Sequence, residues 1–327
     1  MRPRTLHRRQ RGVALIIALV LVSLATILAW KIGYEGYLER RRSTGVLAVE
    51  QALQFGMGAE ALAADALLRS QQQSQQFTLA QPWAQPTQPL PITPENDPDG
   101  APIGTLQGSL EDMQGRFNLN SLGHLLPNGQ PDPVPLAQFE RLLESLQLET
   151  KWAQMARDWI DQDQTVSVPD GAEDAVYTTQ TPPYLAGNWP MTSPTELMAL
   201  PGFGIERYLK LAPYVTALPN ANLPINICTA PAYVLESLAD GLRGEYSTNP
   251  DALVIGRKTG CFPDQKTLQN SMPATQWQSI SPLITDKTTY FRLTTHVTLG
   301  TTEFTLYSLL YLGSGKVTPL IRSVGSL

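Results

Sequence analysis

The chain of 327 residues has little of what builds an active site. It holds two cysteines and three histidines, the latter scattered at His7, His124 and His296. Structural zinc centres draw four such ligands together at short spacings, so that class is excluded. No Gly-x-Ser-x-Gly, no His-Glu-x-x-His and no phosphate-binding loop occurs, and no credible nucleophile stands beside a histidine. A non-enzymatic role is therefore expected. Charge is scarce as well: 16% of residues are charged and the net charge is −5. A chain of that balance has no overall field with which to gather nucleic acid.

What is present begins at the N-terminus. Residues 1–12 carry five arginines and no acid, and they stop at Gly12. An uncharged apolar run of 18 residues, Val13 to Trp30, follows at once, and as helix it spans about 27 Å, enough to cross a bilayer. A secretory signal is cut after its apolar region, at small residues. Here the small residue comes first, and a cut after Gly12 leaves Val13 at the head of a retained membrane helix. Basic residues on one flank orient the chain with its N-terminus in the cytoplasm and its bulk across the membrane. In an oxidising compartment Cys228 and Cys261 most simply form one disulfide, two buried thiols being the alternative.

Helical periodicity without proline continues from 31 to 70, which predicts one long helix whose second part is amphipathic. A Ser/Gln tract and a proline-rich stretch then read as linker over 71–103. Residues 104–122 alternate apolar and polar, which suggests a hairpin or two short strands turning near Glu111 and Asp112. Residues 123–220 are helical, and Ser193 with Pro194 and Glu196 forms a helix-starting signature. A second small helical unit occupies 221–285. The last part, 286–327, alternates like two long strands around Gly300, with an edge strand at 317–322.

Two local patterns bear on function. Asp158, Asp161, Asp163, Asp170, Glu173 and Asp174 crowd six carboxylates into 17 residues with no Lys or Arg among them. Like charges held so close repel unless the loop is loose or a cation binds. Asp-x-Asp with a later Glu suits a hard cation such as calcium, yet with Asp161 as position 1 the sixth residue is Val166 and Glu173 falls at 13. It is not an EF-hand, and a solvated acidic loop is the plain alternative. The second pattern, Glu196 to Tyr208 around Pro201-Gly202-Phe203-Gly204, resembles a helix-hairpin-helix turn. Such turns offer backbone N–H groups to phosphate, with Arg207 and Lys210 nearby. The plainer reading is an interhelical turn in which glycine supplies positive φ.

Several of these segments resemble one family. The cut-before-helix leader is similar to the class III signal of type IV pilins and type II secretion pseudopilins, which prepilin peptidase cuts after glycine and then N-methylates. Most of those proteins carry Glu at mature position 5. Counting Val13 as 1, that position is Ile17 here, a departure typical of the K-type minor pseudopilins (GspK). The segment Asp112-Met-Gln-Gly-Arg-Phe-Asn-Leu-Asn-Ser-Leu122 resembles that family's D-x-x-G-R-x-N-L-N-x-L block. Trp159, Asp161, Asp163, Gly171, Glu173, Asp174, Tyr177, Pro183, Tyr184 and Asn188 resemble its W-x-D-x-D…G-x-E-D…Y…P-Y…N signature, and Ser193 to Gly202 its S-x-x-E-L-x-x-L-P-G segment. Cys228 stands where the family often has a polar residue.

The resemblance implies an α+β fold, a pilin-like long N-terminal helix packed on an antiparallel sheet with a large inserted all-α, SAM-like domain. It implies a structural Ca2+ held by ligands among Asp161, Asp163, Asp170, Glu173 and Asp174. It also implies a minor pseudopilin that starts and caps the pseudopilus tip. Expected partners are minor pseudopilins of the I, J and H types, prepilin peptidase and the inner-membrane secretion platform, with no nucleic acid. The expected place is the bacterial inner membrane, single-pass, with entry into the pseudopilus tip. A minor pilin-like tip protein of a type IV pilus or competence system is the alternative.

Overall fold

The computed structural model of the protein describes residues 11–94, 96–97 and 99–325. Residues 1–10 of the expected leader lie outside them. Helix α1 (Arg11–Gln73) runs for 63 residues, as the lack of proline and the good helix formers predict. Its part from Val13 to Trp30 is exposed throughout. Among the described residues α1 is the one helix long and apolar enough to cross a membrane. From Ala52 onward a stripe turns inward: Ala52, Ala59, Ala63 and Leu67 are buried at helical spacing. Small side chains in that stripe let the helix lie close to a sheet. Glu60 is also buried there, where Arg322 grips it through two hydrogen bonds of 2.7 and 2.8 Å and Ser308 donates a third of 2.6 Å. Burial pushes Glu60 up, but these donors bring it net below the ordinary carboxylate value.

The helix runs on through the start of the Ser/Gln tract, since glutamine is a good helix former. The following stretch is not a bare linker. Trp83 is buried, and strand β1 (Leu90–Ile92) pairs with β2 (Gly104–Asp112). Strand β2 does not turn back at Glu111 as a hairpin. It pairs along its whole length with a strand near the C-terminus, and the chain instead continues into β3 (Phe117–Asn118). The alternation marked a strand correctly, but its partner lies beyond the reach of local signals.

Helices α2 (Pro133–Ser145), α3 (Lys151–Ile160), α4 (Asp174–Tyr177) and α5 (Gly204–Leu211) form the inserted domain. Phe117 stacks on Phe139 at 5.0 Å, and Trp152 meets Phe203 edge-on at 5.3 Å, around one apolar core. The capping box at Ser193 and Glu196 forms, and opens a 3-10 turn rather than a full helix. Gly202 and Gly204 take φ of +84° and +72°, so the Pro-Gly turn requires glycine. Arg207 is occupied: it pairs with Glu149 through two 3.0 Å bonds and donates to the carbonyls of Gly202 and Phe203. That turn joins helices and holds itself closed.

The domain is shut by β4 (Val215–Thr216) pairing parallel with β3. The second unit repeats the device. Its strand β5 (Ile225–Asn226) leads to α6 (Ala232–Ser237), α7 (Pro250–Gly256), α8 (Gln265–Asn270) and α9 (Ala274–Ile280). Strand β6 (Ile284–Thr285) then returns to pair parallel with β5. Cys228 and Cys261 are joined by a disulfide within this unit. Beside it, Arg257 is buried and donates to the carbonyls of Phe262, Ile227 and Ala230.

Strands β7 (Tyr290–Leu299), β8 (Thr302–Gly313) and β9 (Lys316–Val324) complete a five-stranded antiparallel sheet of order β1-β2-β7-β8-β9. Phe291, Leu293, Val297, Leu306 and Leu310 point to α1. Arg292, His296, Tyr307 and Leu309 point to the other face, as the period of two demands. His296 is an exposed strand residue whose ring meets the Thr305 hydroxyl at 3.1 Å.

Candidate metal centre

The acidic loop is built on the end of α3. That helix buries Trp152, Met155, Ala156, Trp159 and Ile160 against the domain core, and its C-cap is Asp161. Trp159 packs edge-on against Tyr177 of α4 at 5.2 Å, and its carbonyl accepts the Asn188 N–H at 2.9 Å. The loop between these anchors is thus held at both ends.

Within it, Asp161, Asp163 and Glu173 each present a carboxylate oxygen, and the three oxygens lie within 4.8 Å of one another. Calcium–oxygen bonds are about 2.3–2.6 Å, so oxygens on opposite sides of one ion sit about 5 Å apart. The three therefore fit around a single ion of that size. The donors are also unspent. Glu173 is 3% exposed, and among the described residues neither of its oxygens has a hydrogen-bond partner, nor does Asp161 Oδ1. Buried polar atoms are almost always paired, so three carboxylate oxygens without partners in one place are donors suited to a cation. Burial, with Asp163 and Asp158 close by, pushes Asp161 up to about 6. Burial and Asp158, Asp161 and Asp163 push Glu173 up to about 7. An all-oxygen anionic set is what a hard cation takes, and thiol or imidazole metals find no ligand here.

Of the expected ligands the structure brings three together and turns two away. Asp170 is exposed and outside the cluster. Asp174 faces elsewhere, its Oδ1 accepting the Ala186 N–H at 2.9 Å, which ties the loop to the segment before Asn188. Sequence reasoning passed over Asp158 as a ligand. It is fully buried, one helical turn before Asp161; Oδ2 accepts the Ser167 N–H at 3.0 Å and Oδ1 has no partner. The i, i+3 spacing from Asp161 was the available signal. Gly171 makes this closeness possible: a Cβ there would stand 2.1 Å from Asp158 Oδ2 and 2.5 Å from Ser167 backbone atoms.

A half-apolar, half-amphipathic helix laid on an antiparallel sheet, with a helical head inserted between two strands of that sheet, defines a pilin-like protein with an elaborated head. Residues 115–220 match the family model for type II secretion system protein K. The type II secretion system protein K of Aeromonas hydrophila is 31% identical over 329 residues, covering 96% of this chain and 97% of that one. That of Pseudomonas aeruginosa is also 31% identical, over 331 residues. The chain is similar in structure, with a TM-score of 0.74 and 26% identity, to a chain of the GspK–GspI–GspJ complex of the enterotoxigenic Escherichia coli type 2 secretion system, covering 88% of this chain and all of that one. The protein belongs to the type II secretion system protein K family. Gly12 and Val13, the expected processing positions, and Ile17 all fall within α1.

Proposed function

We propose that this protein is a minor pseudopilin that starts and caps the pseudopilus, with a head stabilised by calcium. The observation that carries the assembly reading is the structural likeness, across 88% of the chain, to a member of a complex described as GspK–GspI–GspJ. On this reading the leader is cut after Gly12, the new N-terminus is methylated, and α1 crosses the inner membrane with the head in the periplasm. Its partners are I-, J- and H-type minor pseudopilins, the peptidase and the inner-membrane platform.

Ile17 supports the tip position. In a fibre, a Glu at that position offers a carboxylate to the ammonium of a neighbouring N-terminus. A subunit without one has nothing to offer there and suits the first place. The two inserted helical units widen the head, so little room is left for a subunit above.

Asp161, Asp163 and Glu173 would hold the calcium ion, with Asp158 buried beside them. The ion supplies positive charge that lets the loop close on α3, and no chemical step is involved. The test is co-expression of the full chain with I- and J-type partners, followed by purification from detergent-solubilised membranes. A stable complex of the three is expected. Quantitative recovery of an I–J pair that excludes this chain overturns the reading.

A further inference from the structure

A groove of about 750 Å³ lies between α5 and the sheet face opposite α1. Arg292, Leu309 and Ile321 lie side by side across β7, β8 and β9, on its floor. Tyr208, Leu209 and Pro213 form its other wall. Leu209 is 63% exposed and Ile321 44% exposed, so apolar surface is offered to solvent at the mouth.

The charge on this groove is one-sided. Arg116, Arg292 and Arg322 line it, and among the described residues no carboxylate does. Arg116 and Arg292 share a single acceptor atom, Glu111 Oε2, at 2.8 and 2.5 Å. Arg292 Nε is buried and has no acceptor among the described residues. Glu60 answers Arg322 from the helix side. Asp112, the next carboxylate towards Arg116, is buried with both oxygens already taking hydrogen bonds. With one carboxylate oxygen shared between them and one carbonyl, that of Ala212 at 3.2 Å, taking a further Arg116 N–H, the two guanidiniums keep donor capacity in a partly desolvated wall, where carboxylates are bound most strongly. The groove borders β9, the edge strand of the sheet, and an extended segment along an edge meets main-chain groups as well as side chains.

We infer that this groove is a docking site for an extended, acidic segment of a partner protein, with a carboxylate beside Arg116 and Arg292 and apolar side chains against Leu209 and Ile321. The inference goes beyond the assembly reading and holds whichever protein supplies the segment. Full-length protein in detergent is titrated against a labelled, alternating Glu–Val peptide and its Gln–Val counterpart, followed by fluorescence anisotropy at low salt. The acidic peptide is expected to bind at least about tenfold more tightly. Leu209→Glu, at an exposed position that leaves the fold undisturbed, and Arg292→Gln should each erase that preference. Free glutarate should compete poorly. Absence of binding, equal affinity for the two peptides, or a preference that survives in both variants overturns the inference. Full displacement by glutarate would make it a small-anion site instead, and self-association abolished by Leu209→Glu would make it a contact between two copies; either result also overturns it.

Discussion

Asp112 and Glu173 are both buried carboxylates, 8% and 3% exposed, and the fold meets them in opposite ways. Asp112 sits at the neck between sheet and head. Its Oδ1 accepts from the Gln114 N–H and the Thr288 hydroxyl, and its Oδ2 from Asn226 Nδ2 and the Thr229 hydroxyl, at 2.6–2.8 Å. Those donors come from the turn after β2, the second helical unit and the segment leading into β7, so one side chain pins three parts of the chain together. Burial still pushes Asp112 up, but the protein satisfies it from its own groups. In the acidic loop the protein supplies no donors to Glu173 and places Asp158, Asp161 and Asp163 around it. A buried carboxylate with its partners built in is a structural rivet. One without them is half of a site.

The comparison is broken most severely at the neck. Asp112→Ala strands the buried Gln114 N–H, the Thr288 hydroxyl and an Asn226 Nδ2 proton, while the Thr229 hydroxyl keeps the Asn226 carbonyl at 3.2 Å, at about 1–3 kcal/mol for each buried group so stranded. It should lower the melting temperature of the full chain drastically, with or without calcium, by scanning calorimetry. Chelation should have the next largest effect. Calcium at about 100 times its dissociation constant stabilises by about 2.7 kcal/mol, so a chelator should lower the melting temperature of the wild type, and Glu173→Gln should show no such shift.

Acidity offers a third test. In the calcium-free fold Asp161 and Glu173 sit at about 6 and about 7, above their ordinary values of 3.8 and 4.5. A raised carboxylate favours the fold when protonated, so their contribution is fully present below about pH 4 and is lost as pH rises through 6 to 7. Chelated protein should therefore melt higher at pH 5 than at pH 8, and saturating calcium should flatten or reverse that difference. The smallest effects belong to the outlying carboxylates. Asp174→Ala should cost about 1 kcal/mol through the lost Ala186 bond and Asp170→Ala about 0.5 kcal/mol or less, both retaining the calcium response.

The same contrast marks what was legible in the sequence. Helix α1, the Ser193 cap, the Pro-Gly turn and strands β7 to β9 were readable because their signals are local: no proline, a capping pair, glycine at positive φ, a period of two. The disulfide was readable from compartment logic. Strand β1 was hidden in a proline-rich stretch, and β2 was given a hairpin partner because its true one, β7, follows the whole head. At the acidic loop, crowding of charge pointed to Asp161, Asp163 and Glu173, which the fold brings together. It could not say that Asp174 turns away to Ala186, or that the 167–171 segment folds over Asp158. Direction and burial are set by packing that only the assembled domain provides. The neck was missed as a site altogether, since a lone aspartate before Met113 carries no sign of the four donors that converge on it.

The neck completes itself, whereas the acidic loop, on the proposed reading, is completed by a cation. Calorimetric titration of calcium into chelator-treated full-length protein tests it directly. Saturable binding is predicted for the wild type and for Asp174→Ala, and its loss for Asp161→Ala. Absence of binding to the wild type, or undiminished binding to Asp161→Ala, would contradict it.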